Sequence, residues 1–198
     1  MISEKEYREL FKKLLKAYYE DVFEETIEEV FSNRDVSKES FTKIISALCG
    51  VEVDYSNNFS KDLVRAIENY KKSNKVVVNT HSCVKNCIQI DGKTVCQNAC
   101  PFDAILLEKD SSKVEINMDT CVHCGICVES CDNKNFLDKI EFMPLIEDLR
   151  KKQKIIAAVA PAIVGQFGEN VSMGQIRAGL KKIGFADMVE VAFFADML

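Results

Sequence analysis

The order of apolar and polar positions predicts that the chain begins with helices. In residues 7–31 apolar side chains recur every three or four positions with Glu and Lys between them, which predicts one long amphipathic helix. A second helix is predicted at 37–50, and a third at about 60–72 with Ser60 as its N-cap. Residues 1–73 are therefore predicted to form a helical domain whose apolar stripe is buried in its own core or against a partner protein.

The pattern changes after this helical segment. The β-branched run 76–78 predicts a strand, and beyond it the chain is rich in Cys, Asn and small residues up to about residue 132. Residues 104–108 and 113–117 flank a short polar turn, which predicts a β-hairpin. Residues 74–136 are predicted to form a second domain.

The last segment, 137–198, has the pattern of an α/β protein. We predict a helix at 137–152, a buried strand at 155–159, a helix at 172–183 and a strand at 188–192. A strand, a helix and a strand in this order predict one βαβ unit. One such unit leaves sheet edges unpaired, and the last residues are still apolar, so we expect this segment to be incomplete and the chain to be a fragment.

Eight of the nine cysteines form two sets of four. The first set is Cys83, Cys87, Cys96 and Cys100, and the second set is Cys121, Cys124, Cys127 and Cys131. The second set has the C-x2-C-x2-C-x3-C spacing of bacterial ferredoxins, in which three thiolates bind one cubane and the fourth binds the other. Because thiolates are soft ligands for iron, the two sets predict two 4Fe–4S clusters.

The cross-ligation rule assigns each cysteine to a cluster. One cluster is expected on Cys121, Cys124, Cys127 and Cys100, and the other on Cys83, Cys87, Cys96 and Cys131. Two features depart from the ferredoxin pattern: the first set is widened, and Asp132 stands where a proline is expected. The widened loop, 88–95, contains an Asp-Gly pair between alternating apolar residues, which predicts a small hairpin inserted between two ligands.

Zinc is the main alternative for the cysteines, because paired cysteines also form tetrahedral zinc sites. Four closely spaced cysteines are crowded for zinc, which usually takes two separated pairs. The ninth cysteine, Cys49, ends an apolar helical stretch and is predicted to be a small buried residue. His81 and His123 are expected to adjust hydrogen bonding near the cysteines rather than to bind iron.

Composition narrows the functional classes. The 26 basic and 31 acidic residues give a net charge of −5 without a long basic run, so nucleic acid is not expected as a partner. No apolar stretch is long enough to span a bilayer, and the amino terminus lacks the pattern of a signal peptide. We therefore expect a cytoplasmic protein without a membrane partner. No nucleotide-binding loop or catalytic triad is visible, so the chain has no complete active site.

The chain resembles a known family in its cysteine segment and beyond. The run Lys154-Ile-Ile-Ala-Ala-Val-Ala-Pro-Ala-Ile163, together with residues 174–185 and 194–196, is similar to the opening of the catalytic domain of iron-only (FeFe) hydrogenases. The order of a ferredoxin module and this opening is also similar, so the resemblance covers roughly residues 80–198. It implies electron relay through two cubanes to a catalytic cluster whose cysteines lie further along than this sequence. Hydrogenase activity is therefore expected only of a longer parent.

These inferences define an expected fold class and three functional hypotheses. The expected class is α+β, with a helical N-terminal domain, a bacterial-type dicluster ferredoxin-like domain and an incomplete α/β segment. The leading hypothesis is an electron-transfer module that exchanges single electrons with a redox partner protein. The alternative is a redox or oxygen sensor, related to sensory FeFe hydrogenases, in which the helical domain responds to the clusters. A third hypothesis is that the clusters only stabilise a small domain.

Overall fold

A computed structural model shows a mixture of helices and small sheets, which is the expected α+β class. It describes residues 4–32, 37–72, 75–80, 87–89, 91–108, 114–151 and 154–195. Contacts along the chain define two compact units, Met1–Pro144 and Leu145–Leu198. The first unit holds both the predicted helical segment and the cysteine segment, and the division into three domains stays a prediction. No helix within the described ranges is long and apolar enough to cross a membrane.

Four helices open the first unit. They are α1 (Glu4–Tyr19), α2 (Phe23–Ser32), α3 (Lys38–Leu48) and α4 (Phe59–Glu68). The prediction of one long helix is wrong, because the chain turns at Asp21, whose φ is +57°. The Lys13 ammonium lies 3.0 Å from the Glu29 carboxylate, although 16 residues of continuous helix would separate them by about 24 Å. The apolar stripe is therefore folded back on itself as a helix pair.

Aromatic contacts explain why the helices fold back. Tyr18 and Phe23 flank the turn, and their rings meet edge to face with centroids 5.3 Å apart. Phe31, at the end of α2, lies 5.0 Å from the ring of Phe41 in α3 and 5.3 Å from that of Phe59 in α4. Edge-to-face pairs at these distances stabilise beyond the area that they bury. The stripe that predicted a single helix thus forms the core of a helical layer.

The starts of the next two helices can be compared with their predicted caps. Helix α3 follows Ser37, as predicted. The predicted cap Ser60 is wrong, because the N-cap of α4 is Asn58, two residues earlier, and Ser60 is buried in the first turn of the helix. Ser56 organises this start instead, since its hydroxyl accepts from the Asn58 amide at 3.1 Å and donates to Asp62 at 2.7 Å.

Two small antiparallel sheets follow the helical layer in the same unit. Strand β1 (Val77–Asn79) pairs with β4 (Phe136–Asp138), and β2 (Ile105–Leu107) pairs with β3 (Val114–Ile116). The pairing of β2 with β3 confirms the predicted hairpin, whose turn lies outside the described residues. The Asn79 side chain joins the two sheets by donating to the Val114 carbonyl at 2.6 Å.

Helices α5 (Val95–Ala99) and α6 (Ile126–Glu129) also belong to this unit, whereas α7 (Phe142–Arg150) begins in the first unit and continues into the second. The predicted helix at 137–152 is wrong in its first turn, because Leu137 lies in β4 opposite Val78 and the helix begins only at Phe142. A strand forms here instead of a helix because Phe136 is almost completely buried in the core between the sheets. The local sequence pattern does not predict this burial of Phe136.

The end of β4 is held by the helical layer. The Ile140 amide donates to the Ala47 carbonyl at 2.8 Å, and the Tyr7 hydroxyl donates to the Asp138 carbonyl at 3.2 Å. Burial is the main reason that the pKa of Tyr7 is raised above its ordinary value, with nearby Asp138 adding to the shift. The helical layer therefore packs directly on the strand that carries Phe136.

The second unit contains the predicted βαβ arrangement. Strand β5 (Ile156–Val159), helix α8 (Met173–Lys182) and strand β6 (Asp187–Glu190) follow in order, and a short helix α9 (Val191–Ala195) comes last. The two strands are parallel, which confirms the prediction of a βαβ unit. Ser172 and Gln175 form a capping box at the start of α8, where the sequence predicted the helix to begin.

Candidate metal centre

Four of the cysteines lie in or against an apolar core between the two small sheets. The buried members of this core are Val77, Cys96, Ile105, Val114, Cys127 and Phe136. Cys100 and Cys131 are partly buried and pack against the same core. Helices α5 and α6 bring these four cysteines inward, because each helix carries one buried cysteine and is followed by a second, at its end or just beyond it.

The first set of cysteines meets one member of the second set. Cys87, Cys96 and Cys131 line one cavity of about 200 Å³ together with Val95 and Phe136. Burial raises the pKa of the Cys96 thiol, and Cys131 and Cys87 add to this rise. This is the grouping that the cross-ligation rule predicts, although Cys83, the fourth member, lies outside the described residues. The ligand assignment itself stays a prediction.

The second set is arranged around Cys127. Burial is the main cause that raises the pKa of its thiol, and Cys121, Cys124 and Cys96 add to the rise. The Cys121 sulfur lies 3.8 Å from Nδ1 of His123, so this histidine reaches a sulfur, as the sequence analysis expected. His81 lies outside the described residues. Cys124 is exposed to solvent, whereas Cys127 is buried.

Burial changes the acidity of two of these thiols. It raises the pKa of Cys127 to about 11, and it also raises the pKa of Cys96 above its ordinary value. Both shifts favour the protonated thiol. Because thiolates are the form that binds metal, a metal bound by these thiols would displace their protons.

Two sulfurs accept hydrogen bonds from the backbone in the same way. The Ala104 amide donates to Cys100 Sγ at 3.4 Å, and the Asn135 amide donates to Cys131 Sγ at 3.3 Å. In each pair the donor follows the cysteine by four residues. Backbone donors of this kind stabilise negative charge on sulfur.

The backbone around these two sulfurs also repeats. Asp103 and Lys134 each stand three residues after the cysteine and have φ angles of +48° and +50°. Their amides donate to the carbonyls of Cys100 and Cys131 at 3.4 and 2.9 Å. Left-handed conformations are uncommon for residues other than glycine. Their recurrence at the same offset shows that the two cysteine sets end in the same local backbone structure.

The widened loop of the first set forms the predicted small hairpin. Ile88 and Thr94 form an antiparallel bridge, and the Gln89 amide donates to the Lys93 carbonyl at 2.7 Å. Thr94 then caps helix α5, and its hydroxyl lies 3.2 Å from Cys96 Sγ. The insertion therefore ends on a residue that both starts the helix and contacts a candidate ligand.

Sequence analysis missed Asn98, which ties this hairpin to α5. Its side-chain amide donates to the Asp91 carboxylate at 2.9 Å and also to the Gln89 side chain. Asp91 in turn accepts from the Lys93 amide at 3.0 Å. The position of Asn98 two residues after Cys96 was the available signal, but polar residues are common on the exposed side of short helices and do not identify a bonding partner.

The donor set can be compared with what an iron–sulfur cluster needs. Within the described ranges, no three or more Cys, His, Asp or Glu side chains converge tightly enough to hold a single metal ion. The described cysteines instead provide sulfur donors around an apolar core, with backbone amides directed at Cys100 and Cys131. Such a soft set fits iron–sulfide chemistry. Cys49 is completely buried at the end of α3, as predicted for a small apolar residue.

Comparison with known proteins found two similarities. Residues 153–198 match the iron only hydrogenase large subunit, C-terminal domain, and these residues contain the βαβ unit of the second compact unit. The chain is also 38% identical over 39 residues to the aliphatic sulfonate oxidoreductase, polyferredoxin-like subunit, of Pyrococcus furiosus. That similarity covers 20% of this chain and 22% of the other protein, so the chain spans about a fifth of this relative.

Proposed function

We propose that this chain is an iron–sulfur electron-transfer module with two 4Fe–4S clusters. The first cluster is assigned to Cys83, Cys87, Cys96 and Cys131, and the second to Cys100, Cys121, Cys124 and Cys127. When bound, the clusters supply one-electron redox chemistry. The module exchanges single electrons with a redox partner protein and relays them to a hydrogenase-like domain of which residues 153–198 are the start. Hydrogen chemistry itself is assigned to a longer parent protein.

The observation that carries this proposal is the equivalent environment of Cys100 and Cys131. Each sulfur accepts a backbone amide four residues later, and each packs against the same apolar core. A two-cluster ferredoxin needs such a pair, because these are the cysteines that cross from one set to the other. The similarity to a polyferredoxin-like subunit and to a hydrogenase domain supports the same class of function.

The chain's own residues have three tasks in this function. The apolar side chains of β1 to β4 exclude water from Cys96 and Cys127. The amides of Ala104 and Asn135 stabilise charge on sulfur, which is one way in which proteins tune the potential of an iron–sulfur centre. Thr94 holds the start of α5, and with it the position of Cys96.

Metal analysis of anaerobically purified protein tests the proposal. Two cubanes require about eight iron and about eight acid-labile sulfide per chain, and the dithionite-reduced protein is expected to give paramagnetic signals from two coupled clusters. Cys127→Ser is expected to lower the iron content by about half, whereas Cys49→Ser, a buried cysteine in the helical layer, leaves it unchanged. Stoichiometric zinc without labile sulfide would overturn the proposal.

A second function, a redox or oxygen sensor, is favoured by one observation. The helical layer holds the end of β4 through Ala47 and Tyr7, and β4 carries Phe136 of the cysteine core. A structural change around the cysteines could therefore reach the helices through a few packed residues. Hydrogen exchange of residues 38–48 in oxidised and reduced protein tests this function. Equal protection in the two states would count against a sensor.

A further inference from the structure

Among the cysteines that the structure describes, Cys124 alone is exposed to solvent. Cys96 and Cys127, one from each set, are only 4% and 8% exposed. In the second set Cys124 is exposed, and the residues around it include Met118, Val122 and Ile126, which are 39%, 53% and 37% exposed. We refer to residues 118–129 as the 118–129 surface.

Chain geometry keeps the apolar residues of this surface near the exposed cysteine. Val122 and Ile126 each stand two residues from Cys124, so their Cα atoms lie within roughly 7 Å of its Cα. Large apolar side chains in solvent next to a candidate cluster ligand are not required for holding a cluster. Apolar residues at the centre of a charged surface are characteristic of protein contact sites.

The two charged side chains of the 118–129 surface are both acidic, and the nearest basic residues in the sequence are Lys113 and Lys134. Residues 114–133 contain no Lys or Arg and four acidic residues, which are Glu115, Asp119, Glu129 and Asp132. Asp119 and Glu129, which belong to the 118–129 surface, are exposed. One-signed charge around an apolar centre attracts a partner of opposite charge and raises the rate of encounter.

We propose that the 118–129 surface is the docking site for a redox partner protein whose apolar contact face is surrounded by Lys and Arg. This inference rests on the proposed function and adds which of the two clusters exchanges electrons with the partner. In each encounter one electron passes between the partner's redox centre and the cluster assigned to Cys121, Cys124, Cys127 and Cys100. One centre is oxidised and the other reduced by that electron, and no covalent bond forms or breaks.

A basic c-type cytochrome is a suitable probe, because its ferric haem accepts one electron. We expect Asp119→Asn combined with Glu129→Gln to slow the reduction of the cytochrome by the dithionite-reduced protein about five- to tenfold at low ionic strength. The difference is expected to shrink in about 0.5 M salt. Val122→Lys is expected to slow the reaction as well. Binding of the oxidised protein to the ferric cytochrome, measured by calorimetry, is expected to weaken in both variants.

The matched control changes the same number of charges elsewhere. Glu25→Gln combined with Glu28→Gln alters two exposed residues of α2, and a change of less than twofold is expected. Equal slowing in both double variants, or none in either, in protein with full iron and sulfide would overturn the docking site but leave the proposed function intact. Protein without iron and labile sulfide would overturn both. Val122→Lys provides a separate test if a double variant fails to fold.

Discussion

Cys100 and Cys131 occupy equivalent positions in two copies of one local structure. Each sulfur accepts a hydrogen bond from the amide four residues later, at 3.4 and 3.3 Å, and each is followed after three residues by a left-handed backbone. Cys131 nevertheless lines a cavity with Cys87 and Cys96, which belong to the other set. The second copy therefore brings a cysteine of one set beside two candidate ligands of the other.

Serine substitution tests this crossing. Cys131 is assigned to the cluster of the first set, so we expect Cys131→Ser to disturb the same cluster as Cys96→Ser. Cys100 is assigned to the cluster of the second set, so we expect Cys100→Ser to disturb the same cluster as Cys127→Ser. Paramagnetic resonance of the reduced variants measures this. A Cys131→Ser spectrum that matches that of Cys127→Ser would contradict the assignment, and Cys49→Ser serves as the control with an unchanged spectrum.

Asn98 is expected to stabilise the inserted hairpin. Asn98→Ala removes the bonds to Asp91 and Gln89, and we expect a loss of about 0.5–1.5 kcal/mol of stability for these exposed contacts. Because the hairpin joins Cys87 to Cys96, we also expect air to bleach the first cluster faster. Asn69→Ala is a control, since that side chain donates to the Arg65 carbonyl at the end of α4, away from the hairpin in the sequence. Equal bleaching rates in both variants would refute the positioning role.

Gly50 is expected to tolerate no side chain. Its φ is +73°, and an added Cβ would lie 2.6 Å from the Ile140 carbonyl oxygen, which is backbone and cannot rotate away. Gly50→Ala is expected to lower the free energy of unfolding by about 2–4 kcal/mol, from left-handed strain and overpacking together. Gly92→Ala has the same strain at φ +79° but open space around the Cβ, so a loss of only about 1 kcal/mol is expected. Urea unfolding under anaerobic conditions separates the two cases, and equal losses would mean that the contact with Ile140 is unimportant.

Lys139 is expected to stabilise the contact between the helical layer and the end of β4. Its side chain is 2% exposed, with its ammonium 3.8 Å from Glu141, 4.0 Å from Glu52 and 5.5 Å from the centre of the Tyr70 ring. Lys139→Ala leaves two carboxylates without this cation, but both are partly solvated, so we expect a loss of about 1–2 kcal/mol.

The matched control for this prediction is Lys75→Ala. Lys75 binds the same Glu52 at 2.8 Å, yet it is 39% exposed, so its removal is expected to cost less than about 1 kcal/mol. Urea unfolding followed by the helical signal measures both variants. A larger loss for Lys75→Ala than for Lys139→Ala would contradict the argument from burial.

Short-range patterns predicted much of the fold and the candidate ligands. The β2–β3 pair, the small hairpin at 88–95 and the βαβ unit follow from alternation, turn residues and periodicity, which act between near neighbours. The two cysteine sets were equally visible, because loops with short fixed spacings hold cluster ligands. The sequence by itself thus determined the types of most elements and the chemistry of the donors.

Contacts between distant residues decided the rest. The helix break at Asp21 depends on the meeting of Lys13 with Glu29 and of the rings of Tyr18 and Phe23, and the strand at Leu137 depends on burial of its neighbour Phe136. The position of Cys131 beside Cys96, the bonds of Asn98 to the hairpin and the exposure of Val122 also depend on the folded structure. The energies of such contacts come from side chains that are brought together only when the chain folds, and the periodicity of the sequence does not identify those partners.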